Sequence, residues 1–190
     1  MMLKNLLSEK RAAILERWLD IILESYPADT SNFLRQQKNR FANPVGAAIS
    51  QGINGLFEEL LNGKSSDEIS PFLDNVIRIR AVQDFTPSKA VSFIFLLKKV
   101  IREVLEKEIS ENRFSDELSA LDADIDNMAM EAFDIYVKCR EKLYDIKANE
   151  VRRMTFRLLQ RANLICELSE QEQELIDIKN LNVKRKEVTK

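Results

Sequence analysis

The distribution of glycine and proline is the feature that most restricts the fold of this 190-residue chain. All eight of these residues lie before position 88, and the 103 residues that follow contain neither. Strands and hairpins need a turn residue about every 8 to 12 positions. The second half therefore lacks the turns of a β-sheet, and its apolar residues recur at helical spacing. We predict an all-α fold.

Several helix boundaries follow from the same residues. Ser70-Pro71 and Thr86-Pro87 each combine a capping side chain with a proline suited to the first helical turn. No comparable signal interrupts the last long apolar pattern. About six helices are predicted, and the clearest bounds are Leu3 to Tyr26, Pro87 to about Ile109, and Ser115 to beyond Tyr144. The resulting architecture is a helical bundle with a C-terminal helical extension.

Charge and hydropathy exclude two classes of partner. The formal net charge is −2, from 29 basic and 31 acidic residues, so the chain as a whole lacks the basic surface of a nucleic-acid binder. The most apolar window, Ala90 to Leu97, is far shorter than the roughly 20 residues that cross a bilayer. At the start of the chain, the first residues do not form a signal peptide. We predict a cytoplasmic protein with no membrane span and no nucleic-acid partner.

Few residues are suited to catalysis or to metal binding. The chain has no histidine, and Cys139 and Cys166 form no C-x-x-C pair. Both cysteines fall in apolar helix phases, which favours core packing over a nucleophile or a haem thiolate. Residues 122–126 imitate the start of a calcium loop, but Asn127 and Phe133 occupy the places of its glycine and glutamate. We predict no metal site, no cofactor and no enzymatic activity.

Gly52-x-x-Gly55 has two interpretations. The pattern is too short for phosphate recognition. It lies in an amphipathic helix, where two glycines let a second helix approach closely. We predict a packing notch.

The stretch from residue 78 to residue 88 is the most distinctive candidate for an interaction site, and its candidate residues are Arg78, Arg80, Gln83 and Asp84. The two arginines are two positions apart and cannot share a helix face. Asp74 precedes Arg78 by four residues and Asp84 follows Arg80 by four, so each arginine has a local ion pair available. Two interpretations remain: a helix end with a capped turn, or an arginine-lined junction for an anion or a partner's carboxylate.

Charges alternate in blocks along the last third of the chain. Residues 116–134 hold seven acids and no base, whereas residues 138–161 hold eight bases and three acids. The second candidate interaction set is the basic run Arg152, Arg153, Arg157 and Arg161. It could contact RNA or anionic lipid, but acidic neighbours favour packing on a partner or in an antiparallel pair. We predict one domain over residues 1–148 and a helical extension with a frayed basic tail over 149–190.

A dispersed set of segments resembles the N-terminal domain of RsbR-type proteins, the RsbT co-antagonists. These segments are Trp18 in a first helix ending at Tyr26-Pro27, Asn43-Pro44-Val45-Gly46-Ala47-Ala48, the Arg80 to Ser88 junction, Asp134-Ile135-Tyr136-Val137 and Cys139-Arg140-Glu141. The resemblance covers about residues 3 to 148. It implies a globin-like fold without haem, usually dimeric, that serves as a sensory or protein-interaction module. RsbR proteins also carry a C-terminal STAS domain, where this chain has only a short helical extension.

The sequence and the resemblance together give one leading hypothesis and one alternative. The leading hypothesis is a non-enzymatic signalling or regulatory module that forms a homodimer and contacts an unidentified signalling protein. The alternative is a globin-like carrier of a small apolar ligand or a fatty acid.

Overall fold

The computed structural model describes residues 3–37, 39–62, 70–111 and 114–162. Within these ranges the chain forms eight α-helices and no strand, which confirms the all-α bundle. Their bounds are α1 Leu3–Glu9, α2 Arg11–Glu24, α3 Ala28–Gln36, α4 Pro44–Asn62, α5 Pro71–Val82, α6 Pro87–Val104, α7 Glu106–Glu111 and α8 Ser115–Arg161. The chain divides into two compact units, Met1–Tyr144 and Asp145–Lys190.

The helix count exceeds six because two predicted helices are bent. Lys10 (φ −90°, ψ 8°) separates α1 from α2, and Leu105 (φ −103°, ψ 17°) separates α6 from α7. Backbone hydrogen bonds continue through both bends, from Ile14 N–H to the Lys10 carbonyl at 3.1 Å and from Ile109 N–H to the Leu105 carbonyl at 2.8 Å. The apolar period is therefore the same on both sides, and sequence spacing does not reveal such a bend.

The predicted starts at Pro71 and Pro87 are confirmed as those of α5 and α6, but only the first has its predicted cap, because the Thr86 side chain forms no capping hydrogen bond with α6. Ser70 Oγ accepts a hydrogen bond from Leu73 N–H at 3.3 Å, with proline in the first turn of α5. Asn43 Oδ1 accepts from Gly46 N–H at 2.8 Å, and Asn43 Nδ2 donates to the Leu34 carbonyl at 2.9 Å. Asn43 therefore caps α4 and also ties it to the end of α3.

The core of the first unit lies around α2, α4, α5 and α6. Trp18 is fully buried, and its indole N–H donates to the Phe93 carbonyl at 2.8 Å while the two rings lie 6.0 Å apart. The largest fully buried apolar side chains are Trp18, Phe57, Phe93, Leu7, Ile14, Ile22, Ile49, Ile53, Leu56, Leu73 and Ile77. These residues come from five helices, so each helix contributes one apolar face to a shared core.

Gly52 and Gly55 form the predicted packing notch between α4 and α5. A Cβ at position 52 would overlap Cγ2 of Val76, and a Cβ at position 55 would overlap the ring of Phe72. The side chains of α5 thus occupy the space that the two glycines leave open.

Helix α8 continues over 47 residues without a break, as the lack of a terminator predicted. Its buried residues end at Tyr136. In the second unit, every described residue from 145 to 162 is exposed. Gly63, Cys166 and the basic tail lie outside the described residues. The domain boundary after residue 148 stays a prediction.

None of the helices in the described ranges has both the length and the apolar character that a membrane crossing requires.

Candidate functional site

The candidate site is the turn formed by residues 83–86, which connects α5 to α6. Gln83 N–H donates to the Ile79 carbonyl at 3.1 Å, and Phe85 N–H donates to the Arg80 carbonyl at 3.3 Å. Asp84, with φ 58°, is the one non-glycine residue with a positive φ in the part of the chain that the structure describes. This is the Schellman arrangement that ends many helices, with aspartate at a position where glycine is usual.

Arg80, in the last turn of α5, is completely buried. Its Nη1 donates to the Lys89 carbonyl at 2.8 Å, and its Nη2 donates to Ser25 Oγ at 2.7 Å. Both acceptors are neutral oxygens. Arg80 Nε is buried without a hydrogen-bond partner. The guanidinium therefore has weaker compensation for lost hydration than a carboxylate would give it.

Aromatic rings supply the rest of the surroundings of Arg80. Its guanidinium carbon lies 4.8 Å from the ring centroid of Phe85, 4.9 Å from that of Phe93 and 5.7 Å from that of Tyr26. These distances allow cation–π attraction. Burial lowers the pKa of Arg80 and raises the pKa of Tyr26, whose hydroxyl donates to Gln83 Oε1 at 3.0 Å.

Two residues of α8 hold the turn from the other side. Arg140 Nη1 donates to the Ala81 carbonyl at 3.1 Å and to Asp84 Oδ1 at 2.6 Å. The hydroxyl of Tyr136 donates to the Phe85 carbonyl. The Asp84 carboxylate raises the pKa of Arg140, so this arginine is cationic at every pH at which the protein is folded.

Of the two predicted ion pairs, one is confirmed and one is wrong. Arg78 Nε donates to Asp74 Oδ2 at 2.5 Å on the exposed face of α5, as the four-residue spacing predicted. The expected pair between Arg80 and Asp84 is wrong, because Arg80 points into the core while the Asp84 carboxylate pairs with Arg140. The prediction that the two arginines lie on different helix faces is confirmed.

The structure brings together only part of the predicted set. Arg80, Gln83 and Asp84 meet at the turn, whereas Arg78 lies outside it with its own partner. Sequence reasoning missed the roles of Tyr136 and Arg140. Both stand in segments that carry the family resemblance, but nothing in their local spacing indicates a contact with α5. The interaction role of the predicted residues stays a prediction.

The basic run, Arg152, Arg153, Arg157 and Arg161, lies on α8 within the second unit. All four side chains are exposed. Their contact with a partner stays a prediction.

The acidic stretch at residues 122–126 is helical and faces bases of α6. Arg102 Nη1 donates to Asp122 Oδ1 at 3.1 Å, and Lys98 Nζ donates to Asp126 Oδ1 at 2.6 Å. Residues 122–126 therefore form an acidic face of α8 that pairs with α6. Among the residues that the structure describes, no group of three or more histidine, cysteine or acidic side chains could hold a metal ion.

Cys139 packs partly buried against the core of the first unit. Burial raises the pKa of its thiol, and the nearby Arg78 guanidinium opposes this shift only in part. The thiol is therefore mainly protonated at neutral pH, which favours the core interpretation over a nucleophile.

Comparison with known proteins identifies a family that the chain matches. The model of the family described as RsbT co-antagonist protein rsbRD N-terminal domain matches residues 12–151. No curated protein and no solved structure matches the chain. The family match covers well over half of the chain and includes the whole α5–α6 turn with Tyr136 and Arg140. The chain therefore belongs to the family of the RsbT co-antagonist protein rsbRD N-terminal domain, a family of regulatory signalling proteins.

Proposed function

We propose that this protein is a cytoplasmic, non-enzymatic regulatory module that acts through homodimerisation and contacts with a signalling protein. Membership of the rsbRD N-terminal domain family supports a regulatory role. The family description names a co-antagonist of RsbT, so we infer that the partner of this chain is also a protein. The globin-like arrangement of the helices is part of this proposal.

An exposed apolar stripe in the second unit carries the dimerisation step. Val151, Met154 and Leu158 are 62%, 58% and 65% exposed. Their spacing of three and then four residues places them on one face of α8, as in the seam of a coiled coil. Exposure of such a stripe to water is unfavourable. Packing of a second copy of the helix against it would bury this apolar surface.

The exposed arginines of the same unit supply the proposed polar contacts. With Val151 and Leu158 at heptad position a and Met154 at d, Arg157 lies beside the stripe at g and Arg161 falls at the next d, whereas Arg152 and Arg153 lie on the outer face at b and c. We assign the four arginines to acidic side chains of the partner or of the second copy. Exposed ion pairs each contribute about 0.2 to 1 kcal/mol. The arginines therefore select the orientation of the partner, while the apolar stripe supplies most of the affinity.

Light scattering during size-exclusion chromatography of the full chain tests the dimer. We expect a mass of twice 22.0 kDa. Met154→Glu places a charge in the stripe and should halve this mass. Phe156→Glu is the matched control, because Phe156 is 55% exposed on the same helix but lies off the stripe.

Two results would refute this assignment. A wild-type mass of 22.0 kDa over a wide range of concentration would exclude the homodimer. A stable dimer in both variants would exclude the stripe as its interface.

The ligand-carrier alternative gains no support from the described residues. A surface groove of about 620 Å³ lies along the outer side of α6. It is lined by Phe95, Lys98, Lys99, Arg102, Glu103 and Glu106. The groove is wide open to solvent, whereas sites for small ligands enclose most of the ligand surface.

A further inference from the structure

The α5–α6 turn is held closed by side chains that are remote from it in the sequence. Tyr26, in the segment after α2, donates a hydrogen bond to Gln83, which lies 57 residues later in the sequence. Tyr136 and Arg140 of α8 bind the turn at separations of 51 and 56 residues. The turn itself has little buried surface, since Gln83 and Asp84 are exposed and Phe85 is only partly buried. Its conformation therefore depends on these polar contacts more than on apolar packing.

Two features of the turn favour an open form. Asp84 occupies the left-handed region, which costs free energy for a residue with a Cβ. Arg80 keeps a cationic guanidinium in the core with neutral acceptors and an unbonded Nε. Opening of the turn would let Asp84 relax and would let water reach Arg80.

Two features favour the closed form. The guanidinium of Arg140 donates hydrogen bonds to the Ala81 carbonyl and to the Asp84 carboxylate. The hydroxyl of Tyr136 donates to the Phe85 carbonyl. The bonds to the Asp84 carboxylate and to the Phe85 carbonyl depend on the positive φ of Asp84, because both acceptors lie at or just after that residue, whereas the Ala81 carbonyl is held by α5 itself. Hydrogen bonds that involve charged groups are among the stronger ones in proteins.

We propose that the α5–α6 turn is a latch: Arg140 and Tyr136 hold a strained turn over the buried Arg80, and loss of their contacts opens residues 83–86 while the rest of the core stays folded. The latch is a conformational device of the first unit. It does not depend on whether the chain forms a homodimer.

Hydrogen exchange followed by mass spectrometry on the full chain tests the latch. The reporters are the amides of Gln83 and Phe85, which bond to α5 in the closed turn. In Arg140→Ala we expect these amides to exchange about tenfold faster than in the wild type, with α2 and α4 unchanged. Arg78→Ala is the matched control, because it removes an arginine–aspartate pair of the same domain that does not touch the turn.

A second variant separates strain from simple loss of a contact. Asp84→Gly in the Arg140→Ala background removes the cost of the positive φ where the ion pair with Arg140 is already absent. We expect it to restore slow exchange at Phe85. If Arg140→Ala itself fails to fold, Tyr136→Phe removes only one hydroxyl from the latch and is measured in the same way.

Three outcomes would overturn the proposal. The first is wild-type exchange of residues 83–86 in Arg140→Ala, or in Tyr136→Phe where that variant replaces it. The second is equal acceleration in α2 and α4, which would indicate global destabilisation. The third is failure of Asp84→Gly to restore protection, which would show that backbone strain does not drive the opening.

Discussion

At the residue scale, Arg80 is the least expected feature of the chain. Arginine is seldom fully buried unless it is paired with a carboxylate, yet here rings and neutral oxygens surround it. The flat guanidinium is suited to this environment, because it stacks on rings and directs its N–H groups along fixed lines. A lysine would offer neither property.

The substitution Arg80→Lys should therefore lower the free energy of unfolding by about 2 to 4 kcal/mol. The ammonium would remain a buried charge, but it could not reach Ser25 Oγ and the Lys89 carbonyl together. Urea unfolding followed by circular dichroism, at one fixed protein concentration, measures the change. Arg78→Lys should cost less than about 0.5 kcal/mol because Arg78 is exposed. Equal urea midpoints for wild type and Arg80→Lys would contradict this account.

The two arginines also show which contacts a sequence can predict. The partner of Arg78 lies one helical turn away, so spacing alone identifies it. The partner of Asp84 lies 56 residues away on α8, and no local rule connects the two positions. Spacing predicted that Arg78 and Arg80 lie on different faces, but it did not indicate which of them is buried.

At the element scale, helix starts were predictable and helix bends were not. The start of α4 is set by Asn43-Pro44 and that of α5 by Ser70-Pro71, since a capping side chain and a proline both act within a few residues. The bends at Lys10 and Leu105 leave the hydrogen bonding and the apolar period intact. Neither glycine nor proline stands at either bend, so the local sequence carries no such signal for it.

The contact of α4 with α5 gives a prediction at the same scale. Gly52→Ala should destabilise the fold by about 1 to 2 kcal/mol, since overpacking against buried Val76 outweighs the roughly 1 kcal/mol that alanine gains in helix propensity. Gly55→Ala should cost less than half as much, because the ring of Phe72 is partly exposed and can rotate away. Urea unfolding of the two variants measures both values. A larger loss of stability in Gly55→Ala than in Gly52→Ala would show that the contact at Gly55 is the tighter of the two.

At the scale of the whole molecule, the buried apolar residues of α8 end at Tyr136, before the second unit begins. A chain truncated after residue 148 should therefore keep a cooperative thermal transition, with a midpoint within about 4 °C of the full chain. It should also lose self-association, since it lacks Val151, Met154 and Leu158. Circular dichroism and light scattering check the two halves of this prediction. Loss of the cooperative transition would show that later residues belong to the same folding unit.

Fold class was the most predictable property of the molecule. The second half of the chain has no glycine or proline for the turns of a β-sheet, and this can be read directly from the sequence. The candidate site was less predictable. Gln83 and Asp84 were identified by a distinctive local pattern, whereas Tyr136 and Arg140 reach the turn only because α8 packs beside it. A site assembled from α5, α6, α8 and the segment after α2 requires the tertiary arrangement, and one sequence without its relatives does not provide that arrangement.

Trp18 gives the core an optical reporter. It is the chain's single tryptophan, it is fully buried, and its indole bonds to the Phe93 carbonyl on a neighbouring helix. Intrinsic fluorescence excited in the indole band therefore originates at one known point between α2 and α6. A red shift of that emission records the entry of water at this point, so separation of the two helices can be followed in real time without attaching a dye.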